Sequence, residues 1–179
     1  MRFEDIEQYI TKFPIYQYER INTKDIEFSD KVRSICKKEC SRYGSSWSCP
    51  PAVGSVEGCK ERCMRFPEAL IFSSVAEVVD YSNMTQALKT KHEHEVITRK
   101  IEKFLRTKNV SCYTLSTDSC SVCEKCAYPK KQCIHEEIMH PCIESHGIIV
   151  TNILEKYHMD YFMGENMVLW FSIIFMESI

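Results

Sequence analysis

The sequence predicts an α+β fold, a mixed sheet with packed helices and two cysteine-rich metal-binding loop segments. Three observations carry this. "ALIFSSVAEVVDY" (69–81) is a β-branched, largely apolar run that suits a buried strand. Behind it, Ile97, Ile101, Phe104 and Leu105 recur on one helical face. The eleven cysteines fall in two blocks, 36–63 and 112–142, which a conventional stretch separates. The 179 residues are read as a single domain, 1–179, long enough to bury a core.

Taken in order, "IYQYERINTKDIEFS" (15–29) alternates as a strand candidate. Residues 69–81 form the next strand, and Ser82 or Asn83 caps the helix that follows, near 83–108. Asn109 closes that helix, and "VSCYTL" (110–115) is a short strand. Strand, helix, strand suggests a crossover unit. "MVLWFSIIFM" (167–176) is too short to span a bilayer as a helix and reads as a buried strand of the same sheet. No internal repeat, low-complexity tract or obvious linker interrupts the chain.

Composition excludes several classes. The formal charge is −2, so the chain is not a strongly basic nucleic-acid binder, and its ordinary charged and hydrophobic fractions rule out a disordered one. "MRFEDIEQYI" lacks the basic-then-apolar layout of a secretory signal, and the cysteine count is odd. The expectation is a cytoplasmic protein, with no membrane or nucleic-acid partner, whose thiols are reduced, metal-bound or redox-active.

The second block contains "CSVCEKCAYPKKQC" (120–133). Structural zinc commonly takes two well-separated C-x2-C pairs. Three cysteines in C-x2-C-x2-C with a fourth further on are the ferredoxin-like arrangement for an iron–sulfur cluster, because a cubane spreads its ligands over several irons. Cys120, Cys123, Cys126 and Cys133 fit it, although the last spacer is six residues rather than three. A zinc-stabilised loop is the alternative.

The first block is "CKKECSRYGSSWSCPPAVGSVEGCKERC". Cys36 and Cys40 lie one helical turn apart, as do Cys59 and Cys63, and two prolines fix the backbone after Cys49. This spacing suggests a metal site without choosing the metal, and both Cys59 and Cys63 lie within reach of Cys49. Both blocks are net basic: residues 36–65 hold six Lys/Arg against three Glu, and 120–133 three Lys against one Glu. Nearby cations lower thiol pKa values and offset the charge of a thiolate-ligated centre. Tyr43, Trp47 and Tyr128 flank the cysteines and are expected to shield a cluster from water. The histidines of "HEEIMH" (135–140) and "HEHE" (92–95) have the wrong spacing for a zinc pair and read as surface or core-edge residues. No phosphate-cradling glycine loop, nucleophile elbow or dinucleotide fingerprint is present.

"CKKECSRYGSSWSCPPAVGSVEGC", "CSVCEKCAYPKKQC" and "HPCIESHGIIV", in that order, resemble a family of predicted metal-binding proteins, domain-of-unknown-function family 2284. The resemblance runs from about Cys36 to Val150. It implies Cys36, Cys40, Cys49 and Cys59 as one ligand set and Cys120, Cys123, Cys126 and Cys133 as another, with Cys63, Cys112 and Cys142 additional. The chain departs from the family pattern at Ile134 (usually arginine), Cys142 (usually serine) and His146 (usually alanine). The functional expectation is an iron–sulfur protein with two [4Fe–4S] clusters that carries electrons to or from a redox partner protein. The alternatives are a zinc-binding interaction module, or an enzyme using an open cluster iron.

Overall fold

The computed structural model describes residues 1–78 and 84–179. Its strands are β1 (Gln17–Asn22), β2 (Glu68–Glu77), β3 (Cys112–Leu115) and β4 (Met167–Met176), and they form a single sheet in the order β1-β2-β4-β3. The helices are α1 (Phe3–Ile10), α2 (Asp30–Glu39), α3 (Val56–Met64), α4 (Met84–Thr107) and α5 (Val150–Lys156). The α+β class and all four strand candidates are present. Ser82 and Asn83, the expected caps of α4, lie outside the described residues.

Every ladder is antiparallel, where the sequence predicts a mixed sheet. The reason is where β4 lands. Strands β2 and β3 run parallel, as a crossover through α4 requires, but β4 inserts between them and pairs with both. A long-range return of this kind leaves no trace in local sequence. It also explains why β2 and β4 are apolar on both faces: they are the two central strands, and helices cover each side.

Strand alternation divides the core in two. Leu70 and Phe72 of β2, with Ile174 and Met176 of β4, face Ile6 and Ile10 of α1 and Ile97, Ile101 and Leu105 of α4. Ala69, Ile71, Phe171, Ile173 and Phe175 face the other way, onto Cys63 of α3, Ile143, Ile148 and the α5 residues Ile153 and Leu154. Phe104, expected in the core stripe, sits at its edge and stacks on Tyr9 with ring centroids 4.0 Å apart. Helix α4 closes as the sequence predicts. Asn109 takes φ +59°, the Val110 N–H donates to the Leu105 carbonyl at 3.1 Å, and the Asn109 N–H to that of Arg106 at 3.0 Å.

A polar seam runs under α4. His94, 1 % exposed, bonds Ser74 through Nδ1 (2.7 Å) and Ser172 through Nε2 (2.9 Å), and Thr98 joins Ser172 at 2.8 Å. Burial depresses the His94 pKa to about 3, with the Lys91 ammonium adding to the effect. A folded-state pKa below the unfolded value means that the unfolded chain binds the extra proton. Stability is therefore full above about pH 6.5 and is lost as pH falls toward 3. The expected slope is up to about 1.4 kcal/mol per pH unit from this histidine. Denaturant midpoints at pH 7 and pH 5 measure it, and His94→Gln should flatten the profile by about one proton's share.

Candidate metal centre

The second cysteine block leaves β3 and crosses 120–133 without regular secondary structure. Cys120, Cys123, Cys126 and Cys133 all line one small cavity, together with Trp47, Val122 and Met139. The wall from Trp47 comes from the first block. Its indole Nε1 donates to the Lys131 carbonyl at 3.0 Å, and its ring meets Tyr128 edge-on at 5.0 Å. Of the three aromatics expected around the cysteines, Trp47 lines the cavity, Tyr128 packs on Trp47, and Tyr43 does not line it. The loop makes few hydrogen bonds of its own: the Val122 N–H points at the Cys120 sulfur at 3.5 Å, and the Lys131 N–H reaches the Ala127 carbonyl at 3.1 Å.

The loop is anchored from below by a buried cation. Lys91 of α4 is wholly buried, donates to the Ser119 carbonyl, and lies 3.3 Å from Glu95 and 3.8 Å from Asp118. Glu95 in turn accepts from Ser121 at 2.9 Å. A buried ammonium needs such partners, since an isolated one is prohibitively costly to desolvate.

The first block is more regular than a loop. Cys36 sits in the last turn of α2, Cys40 is its exposed C-cap residue, and Cys59 and Cys63 are buried on α3. Cys49 is buried in the connection between those helices. Cys36 and Cys40 line a larger open cavity of about 970 Å³, whose wall also includes Asp118, Cys142 and Glu144. Cys59 does not face it. The Cys59 sulfur accepts from Arg62 at 3.1 Å, lies 3.6 Å from Arg33, and is 3.4 Å from the Val53 carbonyl.

The two blocks meet at Ser48. Its hydroxyl accepts from the Cys120 N–H at 2.8 Å and lies 3.7 Å from the Cys49 sulfur, while its carbonyl accepts from the Cys142 N–H at 3.1 Å. Arg42 adds a bond to the Ser119 hydroxyl at 2.8 Å. The two cysteine groups are therefore neighbours across one residue.

Burial and charge oppose each other at these thiols. Desolvation pushes Cys36, Cys49, Cys59 and Cys120 above the ordinary thiol range, and the arginines beside Cys59 offset it only in part. Cys63, with less compensation, is driven to about 12, and Cys112 to about 11. These last two are protonated core thiols. Among the described residues no three His, Cys, Asp or Glu side chains are gathered tightly enough to clasp a metal ion. The donor set still fits a soft metal: four thiols on one cavity wall in a loop with little else to order it, which a metal would draw inward.

Two buried histidines bond protein partners, whereas His135 lines the Cys120–Cys133 cavity. His94 belongs to the seam, and His140, also buried, bonds Glu102 at 2.6 Å. Glu102 also takes Arg106 at 2.7 Å, and the pull of both partners outweighs its burial and lowers its pKa. His140, Glu102, Arg106 and Cys133 line a second open cleft of about 780 Å³. Neither this cluster nor Lys91 announces itself in the sequence, where polar residues on a long helix read as a solvated face.

A family model described as "Predicted metal-binding protein (DUF2284)" matches residues 19–176. No curated protein and no solved structure matches the chain.

Proposed function

The chain belongs to the DUF2284 family of predicted metal-binding proteins, and from that premise we propose that it is an iron–sulfur protein with two [4Fe–4S] centres. The observation that carries the proposal is the convergence of Cys120, Cys123, Cys126 and Cys133 on one cavity beneath Trp47. The C-x2-C-x2-C spacing of the first three favours a cubane over a single tetrahedral zinc, whose four ligands usually come as two separated pairs. A cluster bound there supplies one-electron redox chemistry at a potential set by hydrogen bonds and exposure.

For the first centre, Cys36, Cys40 and Cys49 provide three thiolates, and two cysteines, Cys59 and Cys142, compete for the fourth place. The chain's own contribution is separation from water and proximity. Trp47 lines the second group's cavity, while Ser48 touches Cys49 and the Cys120 amide together, so that clusters held by the two groups would lie near one another. Cys40 is the exposed thiol of the first group, so a cluster held there would be open to a redox partner protein from that side.

Metal and sulfide analysis of anaerobically purified protein tests this. The expected result is about eight irons and about eight acid-labile sulfides per chain, the content of two cubanes. Stoichiometric zinc without sulfide, after growth with ample iron, would replace the redox reading with that of a zinc-stabilised interaction module.

A further inference from the structure

We propose that Cys142 completes the first thiolate set, making it Cys36, Cys40, Cys49 and Cys142, and that Cys59 is a structural thiol held by two arginines. The inference rests on the reading that the first block holds a metal centre, and it changes which residues build that centre.

Cys142 has the right neighbours. It shares the wall of one open cavity with Cys36 and Cys40. Its thiol donates to the Glu144 carboxylate at 2.7 Å, a bond that ligation would exchange for the metal, and the Cys36 sulfur lies 3.9 Å from the Glu144 carbonyl, so both thiols converge on the same turn. Cys49 does not line that cavity, but its chain neighbour Ser48 ties the two backbones together, its carbonyl accepting from the Cys142 amide.

Its backbone is also fixed. Ser116 and Cys142 form a parallel bridge off the end of β3, and the Ile143 N–H bonds the Ser116 carbonyl at 3.0 Å. A ligand presented on a bridged backbone next to the sheet is held in place before metal arrives, and less ordering remains to be done on binding.

Cys59 is occupied otherwise. Arg33 and Arg62 both lie on its sulfur, and each guanidinium is itself tied to carbonyls. Arg33 holds those of Gly54 (2.7 Å) and Ser145, and Arg62 that of Val53 (2.5 Å). For Cys59 to turn to the cavity of Cys36 and Cys40, its sulfur would have to leave both guanidiniums and the Val53 carbonyl, while the arginines kept their carbonyl acceptors. Cys59 is favoured by the family resemblance, since local spacing leaves Cys59 and Cys63 open, and loop closure costs grow only slowly with length, so a ligand supplied from 142 bears a small entropic penalty. The family pattern has serine at 142, which makes this thiol a feature of this chain.

The test is iron and labile sulfide per chain in anaerobically purified Cys142→Ser, Cys142→Ala and Cys59→Ser proteins beside wild type. Both Cys142 variants should lose about half the iron and keep the other half, which marks them as folded, and Cys59→Ser should keep all of it. A half-loss in Cys59→Ser with full iron in the Cys142 variants overturns the assignment. If the Cys142 variants do not fold, Cys59→Ser decides alone: full iron supports the assignment and a half-loss overturns it. Wild-type protein without metal would instead sink the metal reading and this assignment with it.

Discussion

Cys123→Ala is expected to remove about half of the bound iron and sulfide and to loosen the loop from 120 to 133. Cys123 is the central thiol of the C-x2-C-x2-C run and lines the cavity beneath Trp47 with the other three. Removing one of four thiolates leaves the centre incompletely ligated, and metal binding contributes to ordering a loop with so few hydrogen bonds. The loss should stop at the second centre, because the first draws on α2, the 40–49 connection and the turn at 142. Limited proteolysis should accordingly nick the variant between 120 and 133 faster than wild type. Cys112→Ala is the control. That thiol is 8 % exposed in the α1–α4 half of the core, so its removal should leave iron unchanged. Full iron in Cys123→Ala would remove the second centre from the account.

Gly147→Ala is expected to destabilise the protein by roughly 2–5 kcal/mol, the combined scale of a strained left-handed backbone and an overpacked contact. Gly147 has φ +77°, and a Cβ there would lie 2.9 Å from the Ser29 carbonyl and 2.9 Å from Val56 Cγ1. Neither neighbour moves freely. The Ser29 N–H bonds the Gly147 carbonyl at 2.7 Å and its hydroxyl caps α2, while Val56 opens α3 in the buried interior. Relief would push α2 or α3 away from the turn that holds Cys142 and Glu144. The variant should therefore show a thermal midpoint lower by several degrees and, in addition, weakened retention of iron at the first centre. Wild-type stability in Gly147→Ala would mean that this packing is not a constraint.

Much of the fold was legible because its signals are local. The β-branched runs that became β2 and β4, the Ile97–Ile101–Leu105 stripe and the left-handed Asn109 each follow from neighbours a few residues apart. The antiparallel pairing was not legible, since it depends on β4 returning from the C-terminal end to separate β2 from β3. The same division holds at the cysteines. Short spacers point to the thiols of 120–133, which do line one cavity. The approach of Cys142 to Cys36 crosses more than a hundred residues and rests on the bridge between Ser116 and Cys142. His94 and His140, read from sequence as surface or core-edge residues, are instead buried, as is Lys91, because burial of a polar side chain depends on partners elsewhere, here Ser74, Ser172, Glu102, Asp118 and Ser119. The basic character of both blocks suggested cations at the thiols. Arg33 and Arg62 do surround Cys59, but desolvation dominates its pKa.

The central claim is that these thiols hold redox-active iron–sulfur centres, and reversible reduction of the anaerobic protein tests it most directly. Brown protein with a broad visible absorption that bleaches with dithionite and returns on mild reoxidation, with loss of about half the amplitude in Cys123→Ala, is the result the account predicts. Colourless wild-type protein whose spectrum does not change with dithionite would contradict it.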